Sequence, residues 1–343
     1  MQPQSSIALV IPVLYAMLQL LTHFAIGLVL RRRNVFSQQF FAQTSRFVVR
    51  VALPIYYFVR LAVIDVEQIV SALFFPGAAI ALTTAGFLLS AAVLTLLGFE
   101  GRQKRAGIAL GTFGNTGFLP LFMIEIFPLS VPLIEAAFGI TTPLLYLGAF
   151  SLVQSPLIWA FGYYLVAGSL QRPRLRDLVS PPIFGIACGL AVALAGGAPL
   201  LLDATRPWYH VYTSLEKVGI IIFPLMIICL GATIADLDNA AGRSGKRLYS
   251  LAFGVAAVRL VAFPLLFVAV YFFLIRPLQL SPAHTWVIFL QMHIPPGTSL
   301  SIMAIQAGVN EENTAFVILV NYVLYLVALP LYVIFLFTLP GIL

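Results

Sequence analysis

Apolar runs too long for any soluble element succeed one another along the whole chain, and charge is confined to short clusters between them. Only 9% of the 343 residues are charged and 61% are hydrophobic, against about 25% charged in soluble domains, so a water-facing surface cannot be assembled. The mean hydropathy of +1.02 is spread over the length, which excludes a soluble domain on a single anchor. A hydrocarbon core of about 30 Å takes about 20 apolar residues per helix, and ten such spans with short loops fill a chain of this size. An outer-membrane barrel is excluded, because its strands alternate polar and apolar residues in segments of about ten. The expected class is all-α, integral and polytopic, with the lipid bilayer as its surroundings.

Breaking the sequence at charges and at Gly, Pro and Asn clusters gives ten spans, near residues 5–30, 40–62, 70–98, 106–127, 142–168, 181–198, 214–235, 248–275, 283–308 and 313–337. With the N-terminus outside, the cytoplasmic connections carry Arg31, Arg32 and Arg33, then Arg102, Lys104 and Arg105, then Arg172, Arg174 and Arg176, and finally Arg243, Lys246 and Arg247. The opposite side carries Arg60, Arg206, Lys217 and Arg276. Twelve against four is the positive-inside asymmetry, and it puts both termini outside. Glu311 and Glu312 depart from it in the last cytoplasmic loop. The net charge of +7 is then loop anchoring, and no basic surface domain is left for nucleic acid. The leader MQPQSS has no basic residue, the reverse of a secretory signal, so the first span is expected in the mature protein. Cys188 and Cys229 lie in apolar stretches without metal-ligand spacing and read as packing thiols.

Pro54, Pro120 and Pro156 recur as Pro224, Pro296 and Pro330, at separations of 66 and 36 residues against 72 and 34. Prolines are common in membrane helices, but read as a duplication the pattern divides the chain into 1–168 and 169–343, five spans each. An odd number makes the second copy enter the membrane from the other side, a 5+5 inverted repeat forming one transporter domain. The fourth and ninth spans are interrupted at corresponding places, by Gly111-Thr-Phe-Gly-Asn-Thr-Gly-Phe-Leu-Pro120 and by Gln291-Met-His-Ile-Pro-Pro-Gly-Thr-Ser299. Glycines and prolines there free backbone groups near mid-depth, which is tolerated only inside protein or beside a watery cavity. The second half-helices open with Thr116 and Gly117, and with Gly297, Thr298 and Ser299. Two helix N-termini aimed at one cavity make an anion site.

The Gly-Asn-Thr-Gly break, the TSRFVVRVALPIYYF segment around Pro54, AVRLVAFPLL around Arg259, the Gln-Met-His-Ile-Pro-Pro-Gly break and the final ALPLYVIF resemble the auxin efflux carrier family. That family includes the plant PIN-FORMED exporters and bacterial carriers of malonate, malate and similar carboxylates. The resemblance runs in order over essentially the whole chain, specific at the breaks and weak in the loops. It implies ten transmembrane helices of sodium/proton-antiporter-like or bile-acid-symporter-like architecture, with crossing broken helices 4 and 9. It also implies a scaffold of the first, second, sixth and seventh helices, a homodimer, and a bacterial inner membrane. A leucine-proline after Gly-Asn-Thr-Gly-Phe, His293 before the second break and Arg50 at a usually neutral position depart from the pattern, which bears on the substrate more than on the fold.

Arg50 and Arg259 fall near mid-helix, where an arginine costs about 2.5–3.5 kcal/mol on insertion scales, so neither is expected to face lipid. Each reads either as a counter-charge for an anion or as a cap for freed carbonyls or a partner of Glu125. Asn115 and Gln291 flank the breaks, as donors to a carboxylate or as partners of broken backbone. His293 reads as a proton carrier, its reference pKa being about 6.5, or as a neutral hydrogen-bonding residue. Pro295 and Pro296 complete the expected substrate site, with Gly114, Pro120 and Gln154 as structural or further site residues. Asp65, Glu67, Glu135, Asp203 and Glu216 at outer helix ends read as solvated. A mid-membrane acidic pair, a phosphate loop, a Gly-x-Ser-x-Gly elbow, a His-Glu-x-x-His motif and an acidic metal cluster are all missing, so no enzyme, cofactor or metal is expected. The expected function is a secondary transporter of small organic anions, carboxylates above all, working by alternating access at the crossover. The alternatives are a sodium-coupled organic-anion symporter of the bile-acid type and a membrane sensor that binds the anion without moving it. Proton, sodium or no coupling ion are all compatible with the sequence.

Overall fold

The computed structural model describes residues 6–168, 181–240, 245–309 and 311–342. Arg172, Arg174, Arg176 and Arg243, and the start of the second half at 169, lie outside them. Among the described residues the chain is helical, apart from one isolated bridge. Helix α1 is Ser6–Arg32. Helix α2 starts at Gln38–Phe47, capped by the Ser37 hydroxyl accepting from the Phe40 N–H at 3.2 Å. It continues through a π-turn, Val48–Ala52, into Leu53–Leu61. Then come α3 (Val66–Leu96), α4 (Gly101–Thr112), α5 (Phe118–Glu125) and α6 (Pro132–Phe138). They are followed by α7 (Thr141–Ala167), α8 (Pro181–Leu194), α9 (Pro207–Ala240) and α10 (Lys246–Ile275). The chain ends in α11 (Pro282–Met292), α12 (Ser299–Ala307) and α13 (Glu311–Leu336).

Most of these bounds lie within about five residues of the expected spans, because hydropathy and charge decide where a membrane helix stops; α9 starts seven residues before the expected 214 and carries Glu216 and Lys217 inside it. Six helices are long and apolar enough to cross a membrane, and the pair 118–130 and 132–138, bent by 118°, makes a seventh. That is fewer than the ten expected. Helix α2 carries Arg46, Arg50 and Arg60, α8 has only 14 residues, and two expected spans are divided at their breaks. Prolines act in two ways. Pro156, Pro224 and Pro330 sit inside continuous helices, whereas Pro54 and Pro264 each follow a π-turn. A proline leaves the carbonyl four residues earlier without its donor; for Pro264 that carbonyl, of Leu260, accepts from the Tyr332 hydroxyl at 2.5 Å.

The helices pack in two groups. In the first, α1 lies along α9, and α2 lies along α8 and α9. The contact is backbone to backbone: a Cβ on Gly27 would meet the Ile228 carbonyl oxygen at 1.8 Å, one on Gly231 the Phe24 oxygen at 2.0 Å, and one on Gly185 the Pro54 oxygen at 2.0 Å. Small residues let helices approach this closely where no hydrophobic effect drives them together. Arg31 pairs with Asp236 at 2.6 Å across the same seam. In the second group α3 packs on α4 and α7, α10 on α13, and the four half-helices lie between them.

Candidate functional site

Helix α4 stops at Thr112 because Phe113 turns extended, with φ −101° and ψ 106°. Helix α11 stops at Met292, three residues before Pro295 of the Pro295-Pro296 pair. The two breaks meet. Gly114 and Pro296 form an antiparallel bridge, the Asn115 N–H donates to the Pro295 carbonyl at 2.9 Å, and the Gly297 N–H donates to the Phe113 carbonyl at 2.9 Å. Prolines have no N–H to give, so this strand contributes an acceptor from Pro295 and takes its donor from Gly297. A Cβ on Gly297 would stand 3.1 Å from the Gly114 oxygen, which accounts for glycine there. Each break thereby supplies the partners that the other lost.

From this bridge α5 and α12 set off with Gly117 and Thr298 at their N-caps. Pro120 falls in the first turn of α5, where its missing N–H costs nothing. Gly117 has no side chain and the Thr298 hydroxyl makes no capping bond. Both ends border one cavity of about 260 Å³, together with Gly114, Asn115, Thr116, Gly297 and Ser299. A Cβ on Gly117 would meet nothing within 4 Å, since that position faces open space. The Asn115 amide is held twice, donating through Nδ2 to the Tyr322 hydroxyl at 2.6 Å and accepting from the Phe118 N–H at 3.3 Å. It therefore repairs broken backbone and lines the cavity at once. The other walls come from Val49, Leu53 and Tyr57 on α2, Ser151, Ser155, Ile158 and Trp159 on α7, and Pro182, Ile183 and Ile186 on α8. The cavity thus lies between the two helix groups, and no Asp, Glu, His, Lys or Arg is among its described lining residues.

Several expected site residues lie elsewhere. Arg50 is exposed on the outer face of α2, so it neither reaches the cavity nor avoids the lipid side. The cavity face of that helix repeats at Val49, Leu53 and Tyr57, and a residue one position on is turned about 100° away. His293 is buried against the rings of Phe289, Phe267 and Tyr332, with Nδ1 at 2.8 Å from the Phe289 carbonyl of its own helix. It does not border the cavity either, because the helical direction of α11 persists to its last residue and carries the ring to the far side. Arg259 is fully buried: its Nε donates to the Ile294 carbonyl at 2.8 Å, Nη2 to the Gln291 carbonyl at 3.5 Å, and the guanidinium lies 4.6 Å from the Phe263 ring centre. It caps carbonyls freed by the second break and does not pair with Glu125. Gln291, Gln154 and Arg259 surround a separate cavity of about 10 Å³, beyond the Gly114–Thr116 wall, and Gln154 accepts there from Thr83 at 2.8 Å. Glu125 instead accepts from Tyr56 and from Arg60.

The α2, α7 and α8 walls were not anticipated from the sequence. Ser151, Ser155 and Trp159 recur every fourth residue on one face of an apolar helix, and that spacing was the available signal. Among the described residues no group of His, Cys, Asp and Glu could hold a metal ion.

The model of the family described as membrane transport protein matches residues 12–175 and 169–333, nearly the whole chain. No curated protein matches it. Two half-helices paired through their breaks, a cavity at their ends and this match lead to one assignment: the chain belongs to the membrane transport protein family, that of the auxin efflux carriers.

Proposed function

We propose that the protein is a secondary transporter of small organic anions, and that its substrate is a monocarboxylate with an apolar body. The observation that carries this reading is the meeting of two helix N-termini in one cavity with no charged side chain among its described lining residues. Each end contributes about half a positive charge and unpaired N–H groups, so a single carboxylate fits there without a counter-ion. The opposite wall of Val49, Leu53, Ile183 and Ile186 is apolar, and a second carboxylate would be buried against it unpaired.

Ten spans result when α4 is joined to α5 and α11 to α12, and when α2 and α8 are counted. This supports the 5+5 inverted repeat, with both termini outside a bacterial inner membrane by the charge asymmetry and the resemblance. Alternating access follows from the location of the cavity between the groups: the one holding both breaks slides or rocks against the scaffold of α1, α2, α8 and α9. A homodimer built through that scaffold is part of this proposal.

The test is a thermal-shift series of mono- and dicarboxylates of matched length, followed by flux in liposomes with and without a sodium gradient. A ligand at 100 times its Kd adds about 2.7 kcal/mol to the native state. Preferential stabilisation by monocarboxylates, with flux, is expected. Stronger stabilisation by dicarboxylates overturns the substrate assignment, binding without flux makes the protein a sensor, and flux that stops without sodium makes it a sodium symporter.

A further inference from the structure

The two helix groups touch where α1 and α9 meet α13, and where α9 meets α5. Two side-chain hydrogen bonds run from the first group to a single carboxylate of the second. Glu125, the last residue of α5, accepts from the Tyr56 hydroxyl at one oxygen and from Arg60 Nη2 at 3.2 Å at the other. Tyr56 and Arg60 stand one turn apart on α2, with the guanidinium 5.7 Å from the tyrosine ring centre. The Tyr56 ring is wedged edge-on against Phe223 of α9, centroids 5.0 Å apart. The Glu125 side chain is only 7% exposed, while that of Arg60 is 35% exposed. A carboxylate at the C-terminus of a helix faces the negative end of the dipole, so nothing in α5 itself favours it. Its partners are all on the other group.

The position of this cluster relative to the cavity gives it a role. The cavity is walled by the first turns of α5 and α8, by the middle of α2 and by the middle of α7. Arg60, in the last turn of α2, and Glu125, the last residue of α5, lie beyond the lining residues of those helices, toward the ends away from the 33–37 connection. We propose that Glu125, held by Tyr56 and Arg60, latches the two groups together on the outer side and lets go in every transport cycle. The inference rests on the transporter reading above, and assigns to Glu125 a positioning role without contact to substrate. A buried charge is stable with its partners and costly without them, so a link of this kind breaks as a unit when the groups part.

The test reads side-specific access to the cavity. With Cys188→Ser and Cys229→Ser as background, Ser155→Cys is labelled by an impermeant maleimide in vesicles of either orientation, without substrate. The parent should react from the side of the arginine-rich loops. In Glu125→Gln and in Arg60→Gln, labelling from the opposite side should rise by about tenfold or more, the effect expected from losing one partner of a buried pair. The double variant Arg60→Gln/Glu125→Gln strands no charge, so it decides the matter if a single variant fails to fold. It should rise no further than Glu125→Gln, which already removes the carboxylate that Tyr56 and Arg60 both hold. Unchanged outer labelling in variants that melt like the parent overturns the latch. Flux is measured separately in liposomes: a parent that moves no anion defeats the transporter reading and leaves the labelling result to stand or fall by itself.

Discussion

Replacing Asn115 by alanine removes three contacts together: the bond to Tyr322, the acceptor for the Phe118 N–H and the amide that borders the cavity. Affinity for the anion should fall by roughly 10- to 150-fold, about 1.5–3 kcal/mol for a hydrogen bond to a charged group. Tyr322→Phe separates the parts. It should cost about 1 kcal/mol of stability while leaving affinity within a few-fold, as isothermal titration and thermal melts would record. His293→Gln should leave the pH profile of uptake unchanged, because the ring lies outside the cavity; a flattened profile would return His293 to the mechanism. At this scale the sequence was partly legible. Asn115, Thr116, Gly117, Gly297, Thr298 and Ser299 stand out because small and polar residues have no other reason to interrupt an apolar helix. Arg50 and His293 misled because depth in the membrane can be read from position along the chain, whereas the direction in which a side chain points depends on the local turn of the helix.

The breaks work as a pair, and the two glycines that a sequence reading treats alike differ in their surroundings. A leucine at Gly117 enters open space, so that variant should melt like the parent and lose substrate binding by filling the cavity. A leucine at Gly297 meets the Gly114 oxygen at 3.1 Å, and should push the bridge apart at a cost of about 1–3 kcal/mol. Thermal melts with and without ligand distinguish the outcomes; equal melting of the two variants would contradict the geometry. The existence of both breaks was readable from composition. Their crossing was expected from the freed backbone and the resemblance, but the partners were not readable, since Phe113 and Gly297 are far apart in the chain and nothing local specifies the register. For Arg259 the cap was one of the readings the sequence offered, and the Ile294 and Gln291 carbonyls supplied by the second break decide for it.

For the whole molecule, the ten-span reading requires both ends on one side. With the native cysteines replaced, Gln2→Cys and Ile342→Cys should each react with an impermeant thiol reagent applied outside intact cells, and reaction at only one end would break the count. Apart from the start of α9, helix bounds were legible to within about five residues because the bilayer sets their length and charge sets their ends. The division into two groups was carried by resemblance, and its physical basis becomes visible only in the packing. Gly27 and Gly231 are unremarkable in sequence, yet each admits the backbone of the opposite helix. Gly231→Leu should therefore separate α1 from α9 and lower the melting temperature by several degrees, which differential scanning fluorimetry in detergent would register.

That no charged side chain is among the described residues lining the cavity has a consequence for how the protein meets an acid solution. A positive site made of peptide groups has no proton to lose, so it presents the same field at every pH in the physiological range. On the carboxylate reading, acidity then acts on the cargo alone. The apparent affinity should follow the ionised fraction of the acid supplied, and its midpoint should shift from one acid to the next by the difference in their own dissociation constants, with the protein serving as a fixed reference.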